Sequence, residues 1–309
     1  MRVLIVGCGY VGLALGSELS RLGHEVFGLR RSPESAPVLA AAGISLLVAD
    51  VTQPESLAAI LGTFDWVVNT LAPSGHSEED YRAVYLDGTR HLLDWLGANP
   101  PKKFVYTSST RVYGQTDGSL VKETSPTLPE GATGLVLVET EQLLLRGVEE
   151  SRFPAVILRV AGIYGPGRCQ RVERYLKNEI RLSPEGKRIV NHIHRDDLVI
   201  TLIGILKSGR VGEIYNAVDD EPVSELHLYQ WLGESLGKYL PPFATAAEEA
   251  GRARGGTHKK VSNRRLKMEI GCAFKYPTFR QGYTAELQRM EQAGLLDFDP
   301  EPRDHLTAE

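Results

Sequence analysis

The first half of the chain alternates short apolar runs with longer mixed segments. RVLIV (2–6), HEVFGL (24–29), SLLV (45–48), WVVNTL (66–71) and KFVYTS (103–108) are brief, rich in β-branched and aromatic residues and bounded by turns, the pattern of buried strands. Segments 11–22, 34–42, 54–61, 80–96 and 133–148 read as the helices between and after them. Continuously apolar strands, each followed by a helix, predict a parallel sheet covered on both faces: an α/β, Rossmann-like doubly wound fold. PAVILRVAGIYG (154–165) reads as a sixth strand and EIYNAV (213–218) as a later one.

After residue 166 the alternation weakens. Segments 172–182, 194–207, 225–238 and 280–293 are helix candidates separated by Pro- and Gly-containing loops. The division expected is a dinucleotide-binding domain at 1–166 and a small, interleaved substrate region over most of 167–309, with 190–220 returning to the first domain. The polar end, DFDPEPRDHLTAE, predicts fraying.

Composition narrows the function classes. A chain of 309 residues, 42% hydrophobic and 24% charged, is an ordinary globular protein with ample core. Lys and Arg total 35 against 39 Asp and Glu, and the net charge of −4 argues against a nucleic-acid partner. No stretch reaches about 18 apolar residues, so no membrane span is expected. Cys8, Cys169 and Cys272 are too few and too scattered for a disulfide framework or a metal cluster, which fits a reducing cytoplasm and no bound metal.

The chemistry starts at Gly7-Cys8-Gly9-Tyr10-Val11-Gly12, between the first strand and the first helix. In that context GxGxxG is a dinucleotide fingerprint: Gly7 for a tight turn, Gly9 for close approach of a pyrophosphate, Gly12 for helix-on-strand packing. Free N–H groups of Tyr10, Val11 and Gly12 at the helix start attract the anion. At the end of the second strand a carboxylate selects NAD and an arginine accommodates the 2′-phosphate of NADP. Arg30 and Arg31 stand there, so NADP is expected over NAD. Asp50 and Val51 end the third strand near the adenine, and Leu71 and Ala72 end the fourth beneath the dinucleotide.

These motifs, with ADVTQPESL (49–57), YTSSTRVYG (106–114), RVAGIYGPGR (159–168), HIHRDDLV (192–199) and YNAVDDEPVS (215–224), occur in an order that resembles the extended short-chain dehydrogenases/reductases, the NAD-dependent epimerases and dehydratases acting largely on nucleotide-sugars. The resemblance implies a Rossmann-like sheet with a small C-terminal substrate domain. It also implies proton chemistry by a Ser or Thr, a Tyr and a Lys four residues after that Tyr. Ser109 matches the first position. In T133-G-L-V-L137-V-E-T-E141-Q142 the Glu-Gln anchor is kept, but Thr133 stands at the Tyr position and Leu137 at the Lys position. A nearby ammonium tunes a phenol towards neutral pH, and neither replacement can reproduce this.

Tyr113 is therefore the first replacement candidate beside Ser109, with packing as its other reading. Tyr164, His192 and His194 are further candidates, each equally readable as structural. Arg111 pairs a substrate anion or a local acid, Asp117 or Glu123. Arg168, Arg171 and Arg174 follow the GPG turn, and Arg252, Arg254, Lys259, Lys260, Arg264, Arg265 and Lys267 form a second basic group. Tyr164 and Arg168 join Arg111 as expected substrate contacts, and an anionic small molecule such as a nucleotide-sugar is the expected partner. The apolar segment 133–148 wants cover on more than one side. In the family this helix often builds a dimer bundle, so a homodimer is expected, the alternative being cover by the C-terminal region. The functional expectation is an NADP-binding oxidoreductase or epimerase/dehydratase-like enzyme lacking the Tyr/Lys pair, the alternative a non-catalytic dinucleotide sensor.

Overall fold

The structure, a computed structural model, describes residues 1–251 and 258–296. The polar end 297–309, Arg252 and Arg254 lie outside the described residues. Strands β1 (Arg2–Val6), β2 (Glu25–Arg30), β3 (Ile44–Val48), β4 (Trp66–Asn69) and β5 (Lys103–Ser109) form one parallel sheet with the strands Ala155–Val160 and Ile214–Ala217. From one edge the order is Ile214–Ala217, Ala155–Val160, β5, β4, β1, β2, β3. This is the Rossmann-like α/β arrangement expected from the strand pattern. The order reverses between β1 and β4, and the crevice at their carboxyl ends is where such sheets take ligands.

Successive strand residues feed two separate cores, as the pleat requires. Val3, Ile5, Val105 and Leu158 pack one face with Leu15 and Leu202, while Leu4, Val67, Phe104 and Ile157 pack the other with Leu92 and Leu144. Helix α1 (Tyr10–Arg21) and the helix Arg195–Ser208 lie together on the first face. The helix Arg195–Ser208 and the strand Ile214–Ala217 thus pack with the central sheet. A third core holds the C-terminal region, with Val172, Tyr175, Leu228, Leu232, Phe279 and Tyr283 at its centre.

Three elements shape the rim of the crevice. The helix after β4 opens with a Ser77–Asp80 capping box and contains a π-helical turn, Arg82–Asp87, before Gly88–Gly97; the sequence pattern predicts only a regular helix there. The helix Ala132–Ser151 follows β5 and buries Val136, Leu137, Thr140, Glu141 and Leu144. Its outer positions Gln142, Arg146 and Glu149 are exposed, so it is less apolar all round than the sequence suggests, although Leu135 is exposed as well. The short strands Lys260–Val261 and Leu120–Val121 pair in parallel beside it. Among the described residues no helix is long and apolar enough to cross a membrane.

Candidate functional site

The glycine loop sits at the reversal point. Gly7 has φ +81°, and a Cβ on it would fall 2.8 Å from Leu71 Cδ2 and 2.9 Å from Leu71 Cα, so the turn between β1 and α1 demands glycine. Gly12 is just as closely held, with Ile5 Cγ2 2.9 Å from where a Cβ would stand. Thr70 Oγ1 donates to the Gly7 carbonyl at 2.9 Å and joins the end of β4 to the loop. Gly9 caps α1 with no side-chain bond, so the first amides of the helix, at Tyr10, Val11 and Gly12, have no intrahelical acceptor. Bare amides beside side-chain-free backbone fit a pyrophosphate.

Arg30, at the end of β2, folds back onto this loop. Its Nη1 donates to the Cys8 carbonyl at 2.9 Å and would lie 3.4 Å from a Cβ on Gly9. A groove of about 800 Å³ opens here, lined by Gly9, Tyr10, Arg30, Glu34, Ser35 and Arg195 among others. Arg31 is exposed beside it. Cys8 is buried, and burial pushes its thiol up to about 11, leaving it protonated at neutral pH. The Arg168 and Arg195 guanidinium carbons lie 5.4 and 5.3 Å from the centre of the Tyr10 ring. Cation–π contacts thus tie the glycine loop to the Gly165–Arg168 turn and to the start of the Arg195–Ser208 helix. Asp50 Oδ1 accepts from the Thr52 amide and hydroxyl, at 2.9 and 2.8 Å, and shapes the turn after β3. Val51 is buried and its carbonyl meets His91 Nδ1 at 2.7 Å. Leu71 is half-buried against Gly7, and Ala72 is exposed beyond it.

Ser109 ends β5, and its hydroxyl accepts from the Arg111 amide at 3.2 Å, starting the turn Thr110–Val112. Arg111 Nη1 donates to Thr133 Oγ1 at 3.1 Å, so Ser109, Arg111 and Thr133 stand together at the carboxyl end of β5. The short turn sends Tyr113 inward. Its hydroxyl donates to Asn216 Oδ1 at 2.8 Å and accepts from Arg159 Nη1 at 2.9 Å, and the residue is wholly buried. Arg159 also pairs with Glu141, Nη2 to Oε2 at 2.7 Å, and Glu141 Oε1 accepts from Ser108 Oγ at 2.6 Å. Tyr113 is thereby part of a buried network under the sheet end and differs from the expected cleft-facing acid.

Residues 3–217 match the profile of the NAD dependent epimerase/dehydratase family, well over half of the chain. The chain belongs to this family. It is 30% identical over 285 residues to Protein YeeZ of Escherichia coli K12, covering 89% of this chain and 96% of that protein. A solved structure of a candidate NAD-dependent epimerase/dehydratase from Methylobacillus flagellatus is 32% identical with a TM-score of 0.76, covering 94% of this chain and 98% of that one. DesIV, a dTDP-glucose 4,6-dehydratase from Streptomyces venezuelae solved with NAD and TYD bound, shares the fold at a TM-score of 0.80 and 21% identity over 94% and 97% of the two chains.

Several other residues singled out from the sequence are buried or paired. Tyr164 is buried and stacks on Tyr283, ring centres 4.4 Å apart, inside the C-terminal core. His194 caps the Arg195–Ser208 helix, Nδ1 accepting from the Asp196 amide at 3.1 Å, which leaves Nε2 to donate to Glu286 Oε1 at 2.9 Å. His192 is buried, with Nε2 3.3 Å from Asp219 Oδ2. His194 is thus held as a helix cap, whereas both ring nitrogens of His192 and Asp219 Oδ2 are buried without a hydrogen-bond partner. Two members of the basic group near 260 pair with local acids: Arg265 with Glu213 and Glu269, and Lys267 with Asp220.

Lys259, which the sequence offers only as one of that group, is buried, and its Nζ donates to the Tyr113 carbonyl at 2.9 Å. Burial, helped by Arg111, pulls its pKa from 10.5 down to about 8. The unfolded chain then binds more protons than the folded protein between those values, so stability rises with pH across that window. The shift corresponds to roughly 3 kcal/mol. Lys259→Met is expected to abolish this rise, checked by comparing urea midpoints of the two proteins near pH 7 and near pH 10.

Proposed function

We propose that this protein is an NADP-dependent enzyme of the oxidoreductase or epimerase/dehydratase type, acting on an anionic small molecule such as a nucleotide-sugar. The observation that carries the proposal is Arg30: its guanidinium is anchored on the Cys8 carbonyl at the edge of the bare glycine loop. It can meet a ribose 2′-phosphate there with charge-assisted hydrogen bonds and no rearrangement of the sheet. Tyr10, Val11 and Gly12 amides hold the pyrophosphate, Asp50 and Val51 flank the adenine, Leu71 and Ala72 lie beneath the dinucleotide, and Arg31 reinforces the positive rim. When bound, the dinucleotide supplies hydride transfer at its nicotinamide ring.

The chain's own groups then orient and hold the substrate. Ser109 offers a hydroxyl at the reacting end of β5, and Arg111, exposed and directed at Thr133, meets the substrate's negative charge. Arg168 extends the same positive rim from the Gly165–Arg168 turn, whereas the burial of Tyr164 turns it from a substrate contact into a wall of the C-terminal core. Thr133 and Leu137 stand where the family's Tyr and Lys would be, so the usual phenol–ammonium pair is missing. The protein works in a reducing cytoplasm as a homodimer, with the exposed Leu135 on the helix Ala132–Ser151 at the interface.

A screen of nucleotide-sugars and small carbonyl compounds for NADPH oxidation tests the enzymatic part. Turnover is expected with at least one anionic compound and is expected to fall in Ser109→Ala and Arg111→Ala. Tight NADPH binding with no turnover on any compound would replace this reading by that of a non-catalytic dinucleotide sensor.

A further inference from the structure

The groove beside the glycine loop carries positive charge from two separate elements. Arg30 reaches it from the end of β2, with Nη1 3.4 Å from where a Cβ on Gly9 would stand. Arg195, the first residue of the helix Arg195–Ser208, lines the same groove together with Gly9, Tyr10, Glu34 and Ser35. Its guanidinium carbon lies 5.3 Å from the centre of the Tyr10 ring. The two guanidinium groups therefore flank consecutive loop residues, Arg30 at Gly9 and Arg195 at Tyr10.

Arg195 is set in place from several directions. Its Nε and Nη2 both donate to Asp196 Oδ1, at 3.1 and 2.9 Å. The Tyr10 ring carries the guanidinium by a cation–π contact. Gly165 closes on the stem, since a Cβ there would fall 3.2 Å from Arg195 Cβ and 3.1 Å from the Tyr10 hydroxyl. Among the described residues Nη1 has no hydrogen-bond acceptor, and the side chain keeps 22% of its surface exposed, as a ligand contact requires. A planar fork held in this way loses little freedom on gripping an oxyanion.

Asp196 does not cancel this cation. Its carboxylate is shared with Lys275, whose Nζ lies 4.0 Å from Oδ2, and Arg168 adds a positive charge 5.4 Å from the Tyr10 ring centre. Glu286, which meets His194 next to Arg195, is itself paired with Arg289. The balance around Tyr10 favours a multiply charged anion.

We propose that Arg195 is a second 2′-phosphate ligand of the dinucleotide site, acting from the Tyr10 side of the groove while Arg30 acts from the Gly9 side. The inference rests on the dinucleotide-dependent reading above and adds to it a residue that separates NADP from NAD. The pyrophosphate has the bare amides at the start of α1, whereas the groove joins the loop to Glu34 and Ser35 beyond β2, where the adenosine ribose is read. A charge on that ribose needs side chains, and Arg195 supplies one from a part of the chain about 165 residues away from Arg30.

Calorimetric titration of full-length Arg195→Met with NADPH, NADH and adenosine 2′,5′-bisphosphate tests this. Methionine keeps an unbranched stem against Tyr10 and removes the charge. Affinity for NADPH and for adenosine 2′,5′-bisphosphate is expected to fall by about 10-fold or more, the worth of a charge-assisted contact to a phosphate. NADH affinity is expected to hold. Equal losses for NADPH and NADH would overturn the proposal and leave Arg195 as a strap that shapes the loop, and unchanged affinity for all three compounds would overturn it as well. Urea midpoints check the fold of the variant, and should Arg195→Met prove unstable, Arg195→Gln carries the same expectation. A wild-type protein that binds neither NADPH nor NADH would sink the dinucleotide reading and this inference with it. A wild-type preference for NADPH that survives undiminished in the variant would sink the role of Arg195 alone.

Discussion

Glu141→Ala is expected to lower the stability of this protein by about 3–5 kcal/mol, the range for removing one partner of a buried ion pair. Arg159 and Glu141 are 4% and 3% exposed at their side chains, so the guanidinium left behind has no water to turn to. It would still touch the Tyr113 hydroxyl and the Glu123 carbonyl, but neither carries a compensating negative charge. Ser108 loses its acceptor at the same time. Replacing both charged residues, as Glu141→Leu with Arg159→Met, removes the stranded charge and is expected to recover a substantial part of the loss. Urea unfolding of the two variants checks this, and equal midpoints for Glu141→Ala and the wild type would refute the structural weight given to the pair. The consequence reaches the site, because this network ties the end of β5, which carries Ser109, to the helix that carries Thr133.

Arg30→Ala is expected to weaken NADPH binding by about 10- to 100-fold, the worth of a charge-assisted contact to a phosphate. NADH binding is expected to change little, since the guanidinium has no 2′-phosphate to meet in that molecule. Glu34 lines the same groove and opposes a phosphate. Glu34→Gln is accordingly expected to tighten NADPH binding, in the direction opposite to Arg30→Ala. Competition assays with the two cofactors on each variant read both effects, and a parallel loss of NADH and NADPH in Arg30→Ala would instead assign the arginine to shaping the loop.

The sheet was legible because its strands carry uninterrupted apolar runs that only two-sided burial explains, and the glycine loop because its spacing has one physical purpose between a strand and a helix. The orientation of single side chains was not. Tyr113 stands four residues after Ser109, and nothing local says that the turn Thr110–Val112 rotates it towards Asn216 and Arg159, which are distant in sequence. Arg159 was hidden inside an apolar strand, where a charge is tolerated only because Glu141 arrives from the neighbouring helix. Lys259 looked like one member of a basic surface group until the pairing of Lys260–Val261 with Leu120–Val121 placed it inside. Such features depend on contacts across many residues, which periodicity and motif spacing do not encode.

Calorimetric titration of the wild-type protein with NADPH and with NADH decides whether the proposed dinucleotide site selects NADP. Saturable binding of one NADPH per chain, tighter than that of NADH, is expected. Tighter binding of NADH, or binding of neither, would contradict it.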